Sequence, residues 1–353
     1  MGIGIGPVRD IVGVVRELNL KAIKQEAERR FLLLVAGEEA LARPLAEQLG
    51  AVPERSGTHP WIDVHALPLS VQQRDLSHYD IALIVTDEVE LSEAAASTVR
   101  RLHEDKTPVV TVVVSESALS VVGGDVPRRR EAKRVVLPPS LDEKVLRDKL
   151  APAILEAVRD ELGLAIARQL PVFRAAKSHA LIEETSRANA LYAASTGVAQ
   201  IVPVLTIPLN VADVVVLTKN QLIMAFKIAL ANGKEGTARE IMGEVISVLG
   251  GGLLFRQIAR ELVGLIPVIG IIPKIAVAYA GTWVIGRTIY LWATEGERLD
   301  TEEMRRFYDE AIVRGRALAE TLVETVRDRA PALAAPEAQE PGFWQRVRQR
   351  LPF

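Results

Sequence analysis

Gly37, Arg43 and Pro44 stand where a phosphate-binding loop would carry its working groups. Such a loop reads G-x-x-x-x-G-K-[ST], follows a buried strand and runs into a helix. Its backbone amides and lysine hold phosphates, and its hydroxyl residue holds magnesium. Laid over FLLLVAGEEALARPLAEQL, residues 31–49, Gly37 takes the place of the first glycine. Ala42 replaces the second glycine, Arg43 the lysine and Pro44 the hydroxyl residue. Arg43 keeps the positive charge, whereas Pro44 brings neither a hydroxyl nor an N–H. Two readings stand side by side: a nucleotide-binding loop stripped of its chemistry, and an ordinary strand–helix turn. Under both, efficient nucleotide hydrolysis is not expected.

The remaining chemistry-bearing residues are sparse. The five histidines, at 59, 65, 78, 103 and 179, show no metal-ligand spacing. His179 and Glu183 stand one helical turn apart and read as a solvated face. Glu88 and Glu90 follow a strand but have no partnered nucleophile. The absence of cysteine excludes disulfides, thiolate metal sites and a cysteine nucleophile. The run PRRREAKR, 127–134, reads as a solvated loop, because a formal net charge of −2 argues against a nucleic-acid binder. No cofactor, metal or nucleic acid is therefore expected.

Positioning these residues requires a sizeable fold. With 353 residues, 49% of them hydrophobic, the chain suggests two domains rather than one. The N-terminus lacks the basic-then-apolar order of a signal peptide, and Gly6 occupies the position where myristoylation needs Ser or Thr. Residues 1–29 form an N-terminal unit whose amphipathic helix, over 7–29, turns Ile11, Val14, Val15, Leu18 and Ala22 to one face. It is expected to pack on the next domain.

Over 30–150 strands and helices alternate. Strands are expected at Phe31–Val35, Ile62–Leu69, Ile81–Thr86, Val109–Val114 and Arg134–Leu137, and helices near Ala40–Leu49, Ser92–His103 and from Leu141. Nearly continuous apolar strands such as IALIV and VVTVVV imply a sheet covered on both faces, hence a doubly wound, mainly parallel α/β domain. Residues 151–330 read as an all-α domain with a strongly apolar block over 197–293. A Pro/Ala linker, 331–342, leads to a basic-aromatic tail, 343–353.

The helical half carries the proline pair of IVPVLTIP (Pro203, Pro208), then Asp213, Gln221 and Met224, and the glycine run 250–252. The LIPVIG turn (Pro267, Gly270) and the AYAGTWVIG stretch through Gly286 follow. In order, spacing and residue type these positions, across about 175–310, resemble the YcjF-related family that carries the "domain of unknown function 697". The resemblance implies a helical domain preceded by a small GTPase domain, and some members are taken to be membrane proteins. Residues 30–150 are correspondingly similar to a GTPase worn down at its sites. WIDVHALPLSVQQRDLSHYD lacks the Asp-x-x-Gly motif, and Ser115, Glu116 and Ser117 stand where the guanine-reading Asn-Lys-x-Asp would follow VVTVVV. Only Gly37 and Arg43 remain as vestiges of a nucleotide site.

Leu262–Gly286 is long enough to span a bilayer and holds Lys274 as its one formal charge. Pro203, Pro208, Pro267 and Pro273 break the apolar runs, however. A hairpin of Val198–Leu217 and Leu262–Gly286 would also place six Lys and Arg outside, against the positive-inside tendency. A compact bundle that docks on a membrane or inserts shallowly fits these residues better. Asp213 is expected either to pair with Lys274 inside that bundle or to favour a helix N-terminus after Pro208. In the tail, Phe343 and Trp344 share a helical face while Arg346, Arg348 and Arg350 lie largely off it. That make-up suits an interfacial anchor, a helix docking on a partner, or a frayed end. The expected function is a non-catalytic, cytoplasmic and membrane-associated scaffold binding a protein partner or lipid, with self-association possible in principle. Two alternatives stand beside it: a divergent nucleotide-binding enzyme using Arg43, and an integral membrane subunit.

Overall fold

The computed structural model describes residues 13–51, 59–69, 75–116, 133–198, 211–249 and 271–333. Five strands form one sheet: β1 (Leu33–Gly37), β2 (Ile62–Ala66), β3 (Ile81–Thr86), β4 (Val109–Val114) and β5 (Lys133–Leu137). The helices are α1 (Leu20–Ala27), α2 (Glu39–Leu49), α3 (Glu93–Glu104), α4 (143–157, with a π-helical turn at Leu146–Leu150) and α5 (Asp160–Gln169). They continue as α6 (Arg174–Val198), α7 (Val211–Ala231), α8 (Ala238–Val248), α9 (Ile271–Glu295) and α10 (Thr301–Leu333).

The strand order is β2-β1-β3-β4-β5, and every neighbouring pair is parallel. This is the flavodoxin-type doubly wound order, with its reversal between β1 and β3. β1 begins two residues later than its apolar run suggests and continues to Gly37. β2 stops at Ala66 rather than Leu69, just before Pro68, which has no N–H to give the ladder.

Register decides what each face carries. Leu33 lies beside Ile62 and Ile81, and Leu83 beside Val110, so these side chains share one face with Val35, Val112 and Val114. α2 covers that face with Ala42, Leu45, Ala46 and Leu49, spaced i, i+3, i+4 and i+7. α4 adds Leu146, Leu150 and Ile154. Leu34, Ala36, Ala82 and Ile84 face the other way, under Ala95 and Leu102 of α3. α3 begins where the Ser92 hydroxyl accepts the Ala95 N–H at 3.3 Å. Each such leucine or isoleucine removed from water stabilises the fold by about 1.5–3 kcal/mol.

From the α2/α4 face, apolar contacts run unbroken through Leu162 and Phe173 to Ile285 and Trp292. Sheet and helices thus share one core, and residue 150 falls inside the continuous helical run of α4. The N-terminal helix differs from its expected form. It is interrupted at Leu18 and restarts at Asn19, whose Oδ1 accepts the Ala22 N–H at 3.2 Å. The restart rotates the buried face: Val14 and Leu18 stay inside, Ala27 joins them, and Ala22 is exposed. α1 packs on α5, α7 and α8 rather than on the α/β segment next to it in sequence. Lys227 holds Glu26 at 3.1 Å across that contact.

α9 lies at the centre of the helical region, against α6, α7 and α10. Pro273 sits in its first turn, where no intrahelical N–H is needed. α10 continues to Leu333, into the stretch expected to be linker. Among the described residues, no helix is long and apolar enough to cross a membrane.

Candidate functional site

The strand–helix junction after β1 is where a nucleotide would be held, and its geometry is unlike a phosphate loop. Gly37 is the last residue of β1 and Glu39 the first of α2, so Glu38 alone connects them. The loop expected to open at Gly37 does not form, because the helix starts before a ring of amides can turn around an anion. A β-carbon at Gly37 would lie 2.2 Å from the Val85 carbonyl oxygen. Gly37 is therefore required by the close approach of β1 to β3.

Arg43 lies one turn into α2, on its exposed side, and donates to Glu39 Oε1 at 2.7 Å. That ion pair raises the Arg43 pKa. Pro44 also faces solvent, so the Ala40 carbonyl that lacks its helical donor is open to water. The neighbouring ends of the parallel strands, where doubly wound folds hold ligands, carry exposed Glu38, Glu39, Asp87, Glu88 and Glu90. The Thr86 hydroxyl accepts the Glu88 N–H at 3.1 Å and closes a local turn. The described residues of this rim are acidic. Ser115 and Glu116 follow β4 as expected, while Ser117 lies outside the described residues.

A second cluster was not legible as a site from histidine spacing alone. Asp63 and His65 alternate on β2 and so share a face. Tyr79, from the turn before β3, reaches over both. Its hydroxyl donates to Asp63 Oδ2 at 3.1 Å. Having given its one hydrogen, its oxygen accepts from His65 Nε2, also at 3.1 Å. Burial, with the Asp63 charge and hydrogen bond adding to it, pushes the phenol pKa up strongly. His78 stacks on the Tyr79 ring, with centroids 4.1 Å apart. The signal in the sequence is the D-x-H spacing in a strand, but its partner Tyr79 is supplied only by the fold.

The helical region has a polar centre of its own. Asn189 on α6 is fully buried and donates through Nδ2 to Thr282 Oγ1 on α9 at 2.9 Å. Gln221 on α7 donates to the same oxygen at 3.0 Å, and the Thr282 hydroxyl donates to the Ala278 carbonyl at 2.8 Å. Asn220 Nδ2 donates to Asn189 Oδ1 at 2.8 Å. One turn along α9, a β-carbon at Gly286 would lie 2.6 Å from Ile182 and 3.1 Å from Met224. Gln221, Met224 and Gly286 thus meet where α6, α7 and α9 come together. Their arrangement is one of packing and hydrogen-bond satisfaction, with no group poised to react.

His179 and Glu183 do not act as a pair. Glu183 accepts from the Tyr279 hydroxyl at 2.7 Å and from Arg187 at 2.6 Å. The otherwise exposed His179 lays its ring 5.2 Å from that of Tyr290, and desolvation there, aided by Arg287, lowers its pKa. Lys133, at the end of the basic run, pairs with Glu156. Lys274 is half-buried in the first turn of α9. The Asp213 side chain lies outside the described residues, as do Phe343, Trp344, Arg346, Arg348 and Arg350. Among the described residues, no group of three or more His, Asp or Glu is arranged to hold a metal.

No protein-family model matches this chain, and no curated protein sequence matches it.

Proposed function

We propose that the protein is a non-catalytic scaffold, a pseudo-GTPase related to the YcjF-like helical family, in which the sheet region has exchanged nucleotide chemistry for rigid support. One observation carries this reading: a single residue, Glu38, separates β1 from α2. A triphosphate needs a loop of converging amides and a cation, and here it would meet one amide-poor turn flanked by carboxylates. Arg43 lies on the outer side of the helix, where its guanidinium pairs with the equally exposed Glu39. This placement of Arg43 favours the scaffold reading over a divergent nucleotide enzyme working through that residue.

The helical region is the part offered to a membrane surface or to an apolar partner. The described apolar side chains of the 197–293 block, such as Leu222, Phe226 and Ile285, are buried in the core, so the Phe343–Trp344 tail with its three arginines is what supports that role. Equilibrium titration of the full chain with fluorescent GTP and ATP analogues, with and without magnesium, tests the first half of the proposal. No binding up to millimolar nucleotide is expected, for the parent and for Arg43→Ala alike. Micromolar, magnesium-dependent binding abolished by Arg43→Ala would overturn it. Flotation with anionic vesicles tests the second half: truncation before Phe343 is expected to reduce recovery with the lipid.

A further inference from the structure

α10 presents two opposite stripes. Ala311, Gly315 and Ala319 are buried, and a β-carbon on Gly315 would lie 2.7 Å from the Ala276 carbonyl oxygen of α9. On the far side, Arg306, Asp309, Val313, Arg316 and Glu320 are all exposed. Val313 is 66% exposed, the highest value among the large apolar side chains described. Arg306, Val313 and Glu320 recur every seven residues, as do Asp309 and Arg316, which keeps all five on one narrow seam. None of the four charged side chains forms an ion pair among the described residues, although Arg316 and Glu320 stand one turn apart.

Read along the helix, the seam is positive, negative, apolar, positive, negative. Read backwards it is negative, positive, apolar, negative, positive. The reversed pattern is the complement of the forward one. We propose that this seam is an antiparallel, two-fold contact with α10 of a second copy of this chain. Val313 packs on its own symmetry mate at the centre. Asp309 faces Arg316 of the second copy, and Arg306 faces its Glu320, each pair occurring twice by symmetry. A parallel pair would set like charges opposite each other, so charge alone selects the antiparallel orientation. The single apolar contact makes the dimer weak and dependent on salt. This inference rests on the outer face of α10, whereas the scaffold reading is argued from the β1–α2 junction and the C-terminal tail.

Sedimentation velocity of the full chain over a concentration series, at low and high salt, reads the effect. The parent is expected to shift from monomer to dimer as concentration rises, and less so at high salt. Val313→Asp is expected to hold it monomeric. Asp309→Arg and Arg316→Asp, each alone, are expected to weaken the dimer by about tenfold or more. The double variant Asp309→Arg/Arg316→Asp is expected to recover it, which separates a charge effect from misfolding. A parent that stays monomeric at its highest soluble concentration in low salt overturns the proposal. So does a dimer that neither Val313→Asp nor the single charge reversals disturb. A monomeric parent whose flotation with anionic vesicles is lost in Val313→Asp would assign the seam to lipid and overturn it equally.

Discussion

The sheet region and the helical region each bury a tyrosine whose hydroxyl donates to a carboxylate. Tyr79 serves Asp63 at 3.1 Å, and Tyr279 serves Glu183 at 2.7 Å. Around Tyr79 the polar cluster sits at one edge of a sheet whose buried strands β1 and β4 are apolar except for Thr111. In the helical region polar groups reach the centre, where Asn189 and Thr282 are fully buried. The contrast follows from how backbone is satisfied. A sheet covered on both faces consumes its own N–H and C=O groups in the ladder and leaves its faces to apolar side chains. Packed helices satisfy their backbones internally, so side-chain hydrogen bonds are free to fix which helix meets which, and in what register. In the sheet region a residue that looks chemical, Gly37, is there for close packing; in the helical region residues that look inert set the alignment of three helices.

The comparison is broken most forcefully at Gly37. Gly37→Val drives a side chain into the β3 backbone and is expected to lower the free energy of unfolding by about 3 kcal/mol, or to prevent folding. Urea denaturation measures it, and a variant as stable as the parent would refute the steric role. Thr282→Val is next. It keeps the shape of the side chain but leaves the amides of Asn189 and Gln221 without their shared acceptor, at an expected cost of about 2 kcal/mol. If the loss stays within the error of the melt, the polar centre contributes nothing to stability.

The two tyrosines sharpen the contrast through pH. Burial raises both phenol pKa values above the ordinary 10.0, with the carboxylate partner adding to the shift. A raised pKa means that the folded state favours the protonated phenol. The associated stability is fully present below pH 10.0 and is lost as pH rises from there through the raised folded-state values. Tyr79→Phe and Tyr279→Phe are each expected to flatten this alkaline loss, measured by denaturant melts across the alkaline range. An unchanged slope in either variant would show that its phenol is not linked to folding. The smallest expected change is a gain. Gly243 lies in the exposed middle of α8 with nothing within 4 Å of a β-carbon. Gly243→Ala is expected to stabilise by about 0.5–1 kcal/mol, the opposite sign to Gly37→Val. A loss there would mean that this glycine, too, is held for packing.

Much of the fold is legible along the chain. VVTVVV and IALIVT mark β4 and β3 to the residue, and the doubly wound sheet follows from their double-sided burial. The alternation Asp63–His65 is equally readable once Ile62 begins a strand. Other features escape for identifiable reasons. Of the helix expected over 7–29, Val14 and Leu18 point inward as expected and Ile11 lies outside the described residues, but a side-chain cap at Asn19 competes with continuation and turns Ala22 outward. The helix expected near Ala40 begins one residue earlier, which leaves Glu38 alone where a loop was expected after Gly37. Glu39 in its first turn favours an immediate start through the helix dipole.

Local chemistry determined by sequence alone includes the strands, the helix near Ala40–Leu49, and the loss of the lysine and hydroxyl residue that nucleotide chemistry requires. These depend on residue type and on periods of two and 3.6, which a linear chain displays in full. The tertiary structure alone decided that β1 lies between β2 and β3, that α1 packs on α5, α7 and α8, and that Gln221, Met224 and Gly286 meet at one contact. It also decided that Tyr79 closes over Asp63 and His65. Each of these joins residues far apart along the chain. The energy that selects them, close packing and the satisfaction of buried polar groups, exists only after the chain has folded back on itself.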